Sequence, residues 1–358
     1  MNVDFTVFPK ELKFYGGANG KKLAIRTPSG VYMLKLPGEA RHNKELSYAN
    51  GCISEHIGSS IFNMLGIKAQ ETILGTYKVK DKVKIAVACK DFTYPNYDFF
   101  DFASLKNSCT TSESNGYGTE VADIMNTIEA QDFIDPKQLK AYFWDVFIVD
   151  AMIGNWDRHN GNWGFLKERN TSKLTIAPIY DCGSCLYPQA DEKIMKSVIH
   201  DSNELNARIY ERPISALKDN GNKIKYFDYI SSLKNNDCTE ALARMVPQIN
   251  MQEIYEFIDS VPFISGLQKE FYKTIITARK ERILDFSFTK YKKIKFIKSG
   301  EKAAKIETIS AVKNDILEAL RVSGLTSKEQ LQVLDSIKKE GQSVLSHGKI
   351  ATVAKKDN

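Results

Sequence analysis

Long apolar runs, cysteines and excess charge are all scarce in this chain, and each scarcity excludes a class of protein. No window approaches about 18 uninterrupted apolar residues, so no membrane span is expected. The opening stretch, MNVDFTVFPKELKF, lacks a basic start followed by a continuous apolar segment, which argues against a secretory signal. Six cysteines among 358 residues do not make a disulfide framework and read as reduced thiols in a cytoplasmic protein. A net charge of +6 is too modest to predict stable nucleic-acid binding. Four of the five histidines are scattered, and Cys182-x-x-Cys185 has neither a second pair nor a metal-spaced histidine, so zinc and thioredoxin chemistry are poorly supported. No Ser-His-Asp ordering with a nucleophile elbow occurs, and there is no internal repeat.

What is present is a globular composition, 42% hydrophobic and 26% charged, long enough for two core-bearing units and an appendage. Residues 1–92 read as strand-rich with one helix. Leu23 to Thr27 and Val31 to Leu36 flank a Pro28-Ser29-Gly30 turn and predict a hairpin. Ile53, Ile57, Ile61 and Leu65 recur at helical spacing, with Gly66 as a stop. Strand-like runs follow over Glu71 to Val79 and Val83 to Lys90. Residues 93–288 read as mainly helical, beginning with a polar loop over Asn107 to Gly118. Asp135-Pro136 marks the start of a helix that runs to Gly154 and is apolar nearly all round, as for a buried helix. Further helices are expected over Asn203 to Tyr210, Asp237 to Met245, Met251 to Ile258 and Leu267 to Phe286. Residues 289–358 open with seven lysines and one glutamate between Lys290 and Lys305, a pattern of a solvated linker. Amphipathic stretches over Ile309 to Leu320 and Ser327 to Lys339 follow.

The densest chemistry lies in GNWDRHNGNWGFL, Gly154 to Leu166, and APIYDCGSCLY, Ala177 to Tyr187. Phosphoryl transfer requires an acid to orient the attacking hydroxyl and hard oxygen ligands for Mg²⁺. Asp157 and Asn162 have the spacing of a catalytic aspartate and a metal-binding asparagine in a kinase catalytic loop. The segment between them and Asp181 reads as a short hairpin returning a second metal ligand, in a D-x-G version of the metal motif. His159 stands where a phosphate-binding cation is wanted, and Arg158 is expected to point elsewhere, toward an acidic neighbour. Singly, each of these residues also suits a turn or a cap. Their order, buried helix, D-x-x-x-x-N, hairpin, D-x-G, is specific.

Upstream, Lys35 lies in an otherwise apolar strand, and an inward lysine needs a partner or an anion. Glu55 on the following helix is its expected ion-pair partner, with Glu45 as rival. The segment Gly16, Gly17, Ala18, Asn19, Gly20, Lys21 and Lys22 could cradle phosphates through backbone N–H groups. VACKDF, Val87 to Phe92, would connect the lobes and offer backbone hydrogen bonds to adenine.

YMLKLP, the SEHIGSSIFNMLGI helix, DRHNGNW and IAPIYDCGSCLY resemble the HipA-like serine/threonine kinases over roughly residues 5 to 288. The resemblance implies an α+β, two-lobed protein-kinase-like fold with a small β-rich N-lobe, a larger helical C-lobe and here a helical C-terminal extension. It implies ATP and Mg²⁺, a protein substrate with a Ser/Thr acceptor, and self-phosphorylation. Asp157 becomes the catalytic base, assisted by His159 and Lys35, and Asn162 and Asp181 become the magnesium ligands. Lys35 then binds phosphate, the Gly16 to Lys21 loop covers ATP, and Lys90 to Phe92 forms the hinge. Export without a cleaved signal is a further implication. The extra N-terminal subdomain of HipA has no room before Gly16, and GGANGKK lacks the serine that HipA phosphorylates at its phosphate loop. The DRHN string also resembles phosphoinositide-type lipid kinases, the enzymatic alternative. A catalytically silent binding module of the same fold is the alternative from another class.

Overall fold

In the computed structural model the described residues are 3–16, 22–37, 49–109 and 115–298, with isolated positions between 318 and 335. The chain divides into two units, Met1–Ile294 and Lys295–Asn358. The first begins with strands β1 (Val3–Asp4), β2 (Lys10–Glu11), β3 (Lys22–Thr27) and β4 (Gly30–Lys35), then helix α1 (Gly51–Met64), then β5 (Thr72–Val79) and β6 (Lys82–Lys90). These strands form one sheet in the order β1-β5-β6-β4-β3-β2, antiparallel except for β1 beside β5.

Strand parity decides where Lys35 goes. Side chains alternate between faces, and Tyr32 and Leu34 enter a small core with Phe5, Ile25, Tyr77 and Ala88 on one face of the sheet. Met33 and Lys35 therefore belong to the opposite face, where Leu74, Val87 and Cys89 pack with Ile53, Ile57 and Ile61 of α1. The predicted Ile53, Ile57, Ile61 and Leu65 stripe is fully buried, and Gly66 ends the helix at φ +74°.

Helix α1 also carries a half-buried histidine. His56 Nδ1 lies 2.9 Å from Thr72 Oγ1, the ring packs on Phe257, and burial pulls the imidazole down to about 4. The unfolded chain binds this proton near the ordinary pKa of 6.5, so stability is present above that value and is lost as pH falls toward 4. Between pH 7 and pH 5 the wild type should lose about 2 kcal/mol through this group, and His56→Gln should remove that slope. Urea midpoints at the two pH values check this; identical slopes in both proteins would contradict it.

The larger part holds β7 (Tyr97–Asp101), α2 (Phe102–Cys109), α3 (Val121–Ala130), α4 (Pro136–Ile153), β8 (Gly164–Glu168), β9 (Leu174–Ile176) and α5 (Glu192–His200). After these come α6 (Ser202–Asn206), a hairpin of β10 (Ile214–Asp219) and β11 (Asn222–Lys225), and α7 (Tyr226–Ser232), α8 (Asn236–Met245), α9 (Met251–Ser260), α10 (Gly266–Arg279) and α11 (Phe286–Lys298). The β8–β9 hairpin is the one expected between Asn162 and Asp181, and β7 adds to it as a third strand.

Several expectations need correction. Strand β7 and helices α2, α3 and α5 fall where no regular element was read, and α2 takes Asn107 to Cys109 out of the supposed polar loop. The helix expected over Leu267 to Phe286 passes through a π-helical turn, Lys280–Asp285, into α11 and ends only at Lys298. The front half of the lysine-rich stretch is thus helix, because its lysines are spaced among Phe288, Tyr291, Ile294 and Ile297. The two amphipathic stretches beyond it lie outside the described residues, apart from helical positions at 318–319 and scattered ones at 328–335.

Candidate active site

Three of the predicted residues meet at Lys35. Its Nζ donates to Glu55 Oε2 at 2.9 Å and to Asp181 Oδ1 at 2.9 Å. Burial alone would lower the ammonium, but Asp181 and Glu55 outweigh it and hold Lys35 charged, well above the ordinary lysine range. In return Lys35 holds the Asp181 carboxyl down to about 2, so Asp181 is ionised at any working pH. Glu55 is buried, and its second oxygen accepts the Cys182 N–H at 3.2 Å, which ties α1 to the metal-motif loop. Gly183 eases this approach, since a Cβ there would stand 3.1 Å from Glu55 Oε2, tighter than an ordinary contact. Asp181 itself sits at φ +57°, a conformation that Asp and Asn tolerate better than other side chains. Glu45, the rival partner, lies outside the described residues.

The catalytic loop is set by the end of α4. Asp135 caps the N-terminus, accepting from the N–H groups of Lys137 and Gln138, with Pro136 in the first turn. Gly154 closes the C-terminus in the left-handed region, φ 64° and ψ 43°, which turns the chain sharply into Asn155. Asp150, one turn back, is fully buried and accepts from Asn155 Nδ2 at 2.8 Å and Arg158 Nε at 3.0 Å. Asn155 Oδ1 then accepts the Asp157 N–H at 3.2 Å, so the buried carboxylate positions the proposed base through one intermediate side chain.

Arg158 behaves as a clamp rather than a phosphate ligand. Besides Asp150, its Nη1 donates to the carbonyls of Asn162 at 2.8 Å and Tyr180 at 2.6 Å, and its Nη2 contacts Cys182 Sγ at 3.4 Å. One guanidinium nitrogen therefore touches the backbone of Asn162 and of the residue preceding Asp181. Tyr180 Oη adds a second tie, donating to the Gly161 carbonyl at 2.6 Å. Asn162 Nδ2 donates to the Asp157 carbonyl at 2.7 Å, which leaves its amide oxygen as the atom that could hold a metal. His159 Nδ1 accepts the Gly161 N–H at 3.0 Å, which places the ring proton on Nε2, 3.9 Å from Asp157 Oδ1. The Asp157 side chain is 39% exposed and reachable by an acceptor. Its carboxyl is raised by burial, eased by His159 and raised again by the field of Asp181.

Of the phosphate loop, only Gly16 is described; Gly17, Ala18, Asn19, Gly20 and Lys21 lie outside the described residues. In the predicted connector two backbone N–H groups are already taken. The Lys90 N–H goes to Glu71 O at 2.8 Å and the Asp91 N–H to Val31 O at 2.9 Å, so Phe92 offers the remaining N–H among the described residues. The Asp91 side chain instead anchors the chain before Gly16, accepting from Lys13 Nζ and from Tyr15 Oη at 2.8 Å. Lys90 Nζ turns outward to Glu71. Cys182 and Cys185 are buried with their thiols pushed up, Cys182 to about 12, and Cys185 donates to Ser54 O at 3.3 Å; they pack and do not react.

Asp150 and Asn155 were missed from sequence. A visible signal existed for Asp150: one carboxylate inside the apolar run VFIVDAMI must find a partner.

A β-sheet lobe with one helix, a helical lobe, and a lysine–glutamate pair bonded to Asp181, whose loop Arg158 ties to the D-x-x-x-x-N loop, define the class of two-lobed, protein-kinase-like folds. Within it, the chain belongs to the HipA-like C-terminal domain family, whose model matches residues 14–253. It is 48% identical over 292 residues to the serine/threonine-protein kinase CtkA of Helicobacter pylori, covering 80% of this chain and 88% of that protein. The crystal structure of a Helicobacter pylori proinflammatory kinase CtkA superimposes with a TM-score of 0.77 at 47% identity, covering 82% of this chain and 99% of the other.

Proposed function

We propose that this chain is an ATP- and Mg²⁺-dependent serine/threonine protein kinase. The observation that carries the reading is the union of Lys35, Glu55 and Asp181 beside a loop in which Arg158 holds Asn162 and Tyr180 on one guanidinium. The donor set suits a hard cation: the Asn162 amide oxygen and the ionised Asp181 carboxylate are oxygen ligands, and among the described residues no three His, Cys, Asp or Glu side chains converge into a softer cage. Bound Mg²⁺ supplies neutralisation of the nucleotide's phosphate charge, and Asn162 and Asp181 are the residues that would hold it.

The remaining work falls to the protein's own groups. Lys35, kept charged by Glu55, presents an ammonium to the phosphates and is held in place by its two carboxylates. Asp157 accepts a hydrogen bond from the acceptor hydroxyl, orients it, and takes its proton as the oxygen attacks. His159 Nε2–H stands beside Asp157 as a donor toward developing negative charge. Asp150, Asn155 and Arg158 keep this loop from relaxing.

The test is to incubate the purified protein with Mg²⁺ and ATP labelled at the γ-phosphate, alone and with a mixture of protein acceptors, and to map products by mass spectrometry. Phosphoserine or phosphothreonine in the chain or an acceptor is the expected result. Label that reaches only phosphoinositide headgroups, or remains on bound ATP, would sink the protein-kinase reading.

A further inference from the structure

One cation beside this site has a side chain with no role so far. Lys22 opens β3, and the β3–β4 register sets it directly opposite Lys35. Directly opposed residues on antiparallel strands share a face with their Cβ atoms about 5 Å apart, and like charges so placed destabilise the pair. The face is the one that carries Glu55, since Leu23, Ile25, Tyr32 and Leu34 occupy the other. Lys35 is neutralised by two carboxylates, whereas Lys22 has none within ion-pair distance among the described residues; its Nζ donates to the Gly16 carbonyl at 2.6 Å. That contact clasps the two ends of the 16–22 loop and holds the ammonium at its mouth. Burial and the charge of Lys35 pull the Lys22 ammonium down, whereas Asp181 and Glu55 pull it up, which places it in the electrostatic field of the same site.

Two lysines facing one another across adjacent strands, one of them without a counter-ion, form a site for an anion larger than a carboxylate. We propose that Lys22 is a second phosphate-binding residue, gripping the nucleotide's polyphosphate from β3 while Lys35 grips it from β4. The inference rests on the kinase reading, and it assigns Lys22 a ligand that Lys35 alone does not account for. The bland alternative is that Lys22 serves only as a clasp on Gly16. A clasp would tighten the loop for every nucleoside alike; a phosphate ligand discriminates by the number of phosphates.

Equilibrium titration of the full chain with fluorescent analogues of ATP, ADP and adenosine separates the two. In Lys22→Ala, affinity for the ATP analogue should fall about tenfold or more, and that for the adenosine analogue should stay within about twofold. Lys22→Arg should recover most of the loss, since it keeps the charge. Equal losses for all three analogues, or no loss for ATP, would overturn the assignment. A wild-type chain that does not distinguish ATP from adenosine would instead overturn the kinase reading beneath it, and a melting curve of Lys22→Ala matching wild type shows that the fold was not at fault.

Discussion

Asp157→Asn and Asp181→Asn should each lose phosphoryl transfer by about 10²–10⁴-fold while remaining folded. The asparagine is chosen for a physical reason at each place. At Asp181 the backbone is left-handed, φ +57°, and Asn is the other side chain that occupies this region readily. An alanine there would add backbone strain to the chemical loss. The substitution also leaves Lys35 its Glu55 partner at 2.9 Å, so the ammonium stays charged and the interior keeps a satisfied ion pair. At Asp157 the side chain is partly exposed and its backbone N–H is held by Asn155, so removing the charge costs the fold little. The two variants should fail differently. Asp181→Asn should raise the Mg²⁺ concentration needed for half-maximal rate, whereas Asp157→Asn should leave that requirement alone and depress the maximal rate. Initial rates across a Mg²⁺ series, with circular dichroism as the folding control, measure both. Near-wild-type turnover in either variant contradicts the role given to that residue.

The second large effect belongs to Arg158. Its side chain is 7% exposed and that of Asp150 1%, so the pair is buried. Arg158→Met would strand the Asp150 carboxylate without its cation, and breaking a buried pair in this way costs about 3–5 kcal/mol. A drop of that size in the unfolding free energy from urea titration is the expected result. Arg158→Lys is the more informative change, because it keeps the charge and loses the planar fork. A lysine cannot reach Asp150, the Asn162 carbonyl and the Tyr180 carbonyl together. Catalysis should then fall by about 10–100-fold with a raised Mg²⁺ requirement, as for a lost residue that orients metal ligands, with only a modest loss of stability. A wild-type Mg²⁺ dependence in Arg158→Lys would show that the two loops keep their spacing without the guanidinium.

The candidate site was legible in sequence wherever chemistry sits at short, fixed spacing. Asp157, Asn162 and the returning hairpin to Asp181 are within 25 residues of one another, so the local order carries the information. The Lys35–Glu55 pair could be proposed because a strand lysine in an apolar run needs a counter-ion and the next helix supplies one. Arg158 was expected to find an acid, but nothing local said that the acid would be Asp150 or that the same guanidinium would span two loops. Strand β7 escaped notice for a related reason: its partner in the sheet, β8, is supplied by residues some 65 positions later, and its own sequence lacks a strand period. How many N–H groups the connector leaves free could not be read locally, because that depends on what packs against it, and Glu71 and Val31 take two of them.

By itself, then, the sequence determined the four longer strands and the helix of the N-terminal lobe (though not β1 and β2), the apolar faces of α1 and α4, and the residue kinds for phosphoryl transfer, because helix and strand periods and motif spacings are local properties. Only the tertiary structure decided which carboxylates meet Lys35, that Lys22 stands across from it, and that Arg158 binds the Asn162 and Tyr180 backbones together. Those relations depend on strand register and on buried hydrogen bonds between segments far apart in the chain, and no local period encodes them.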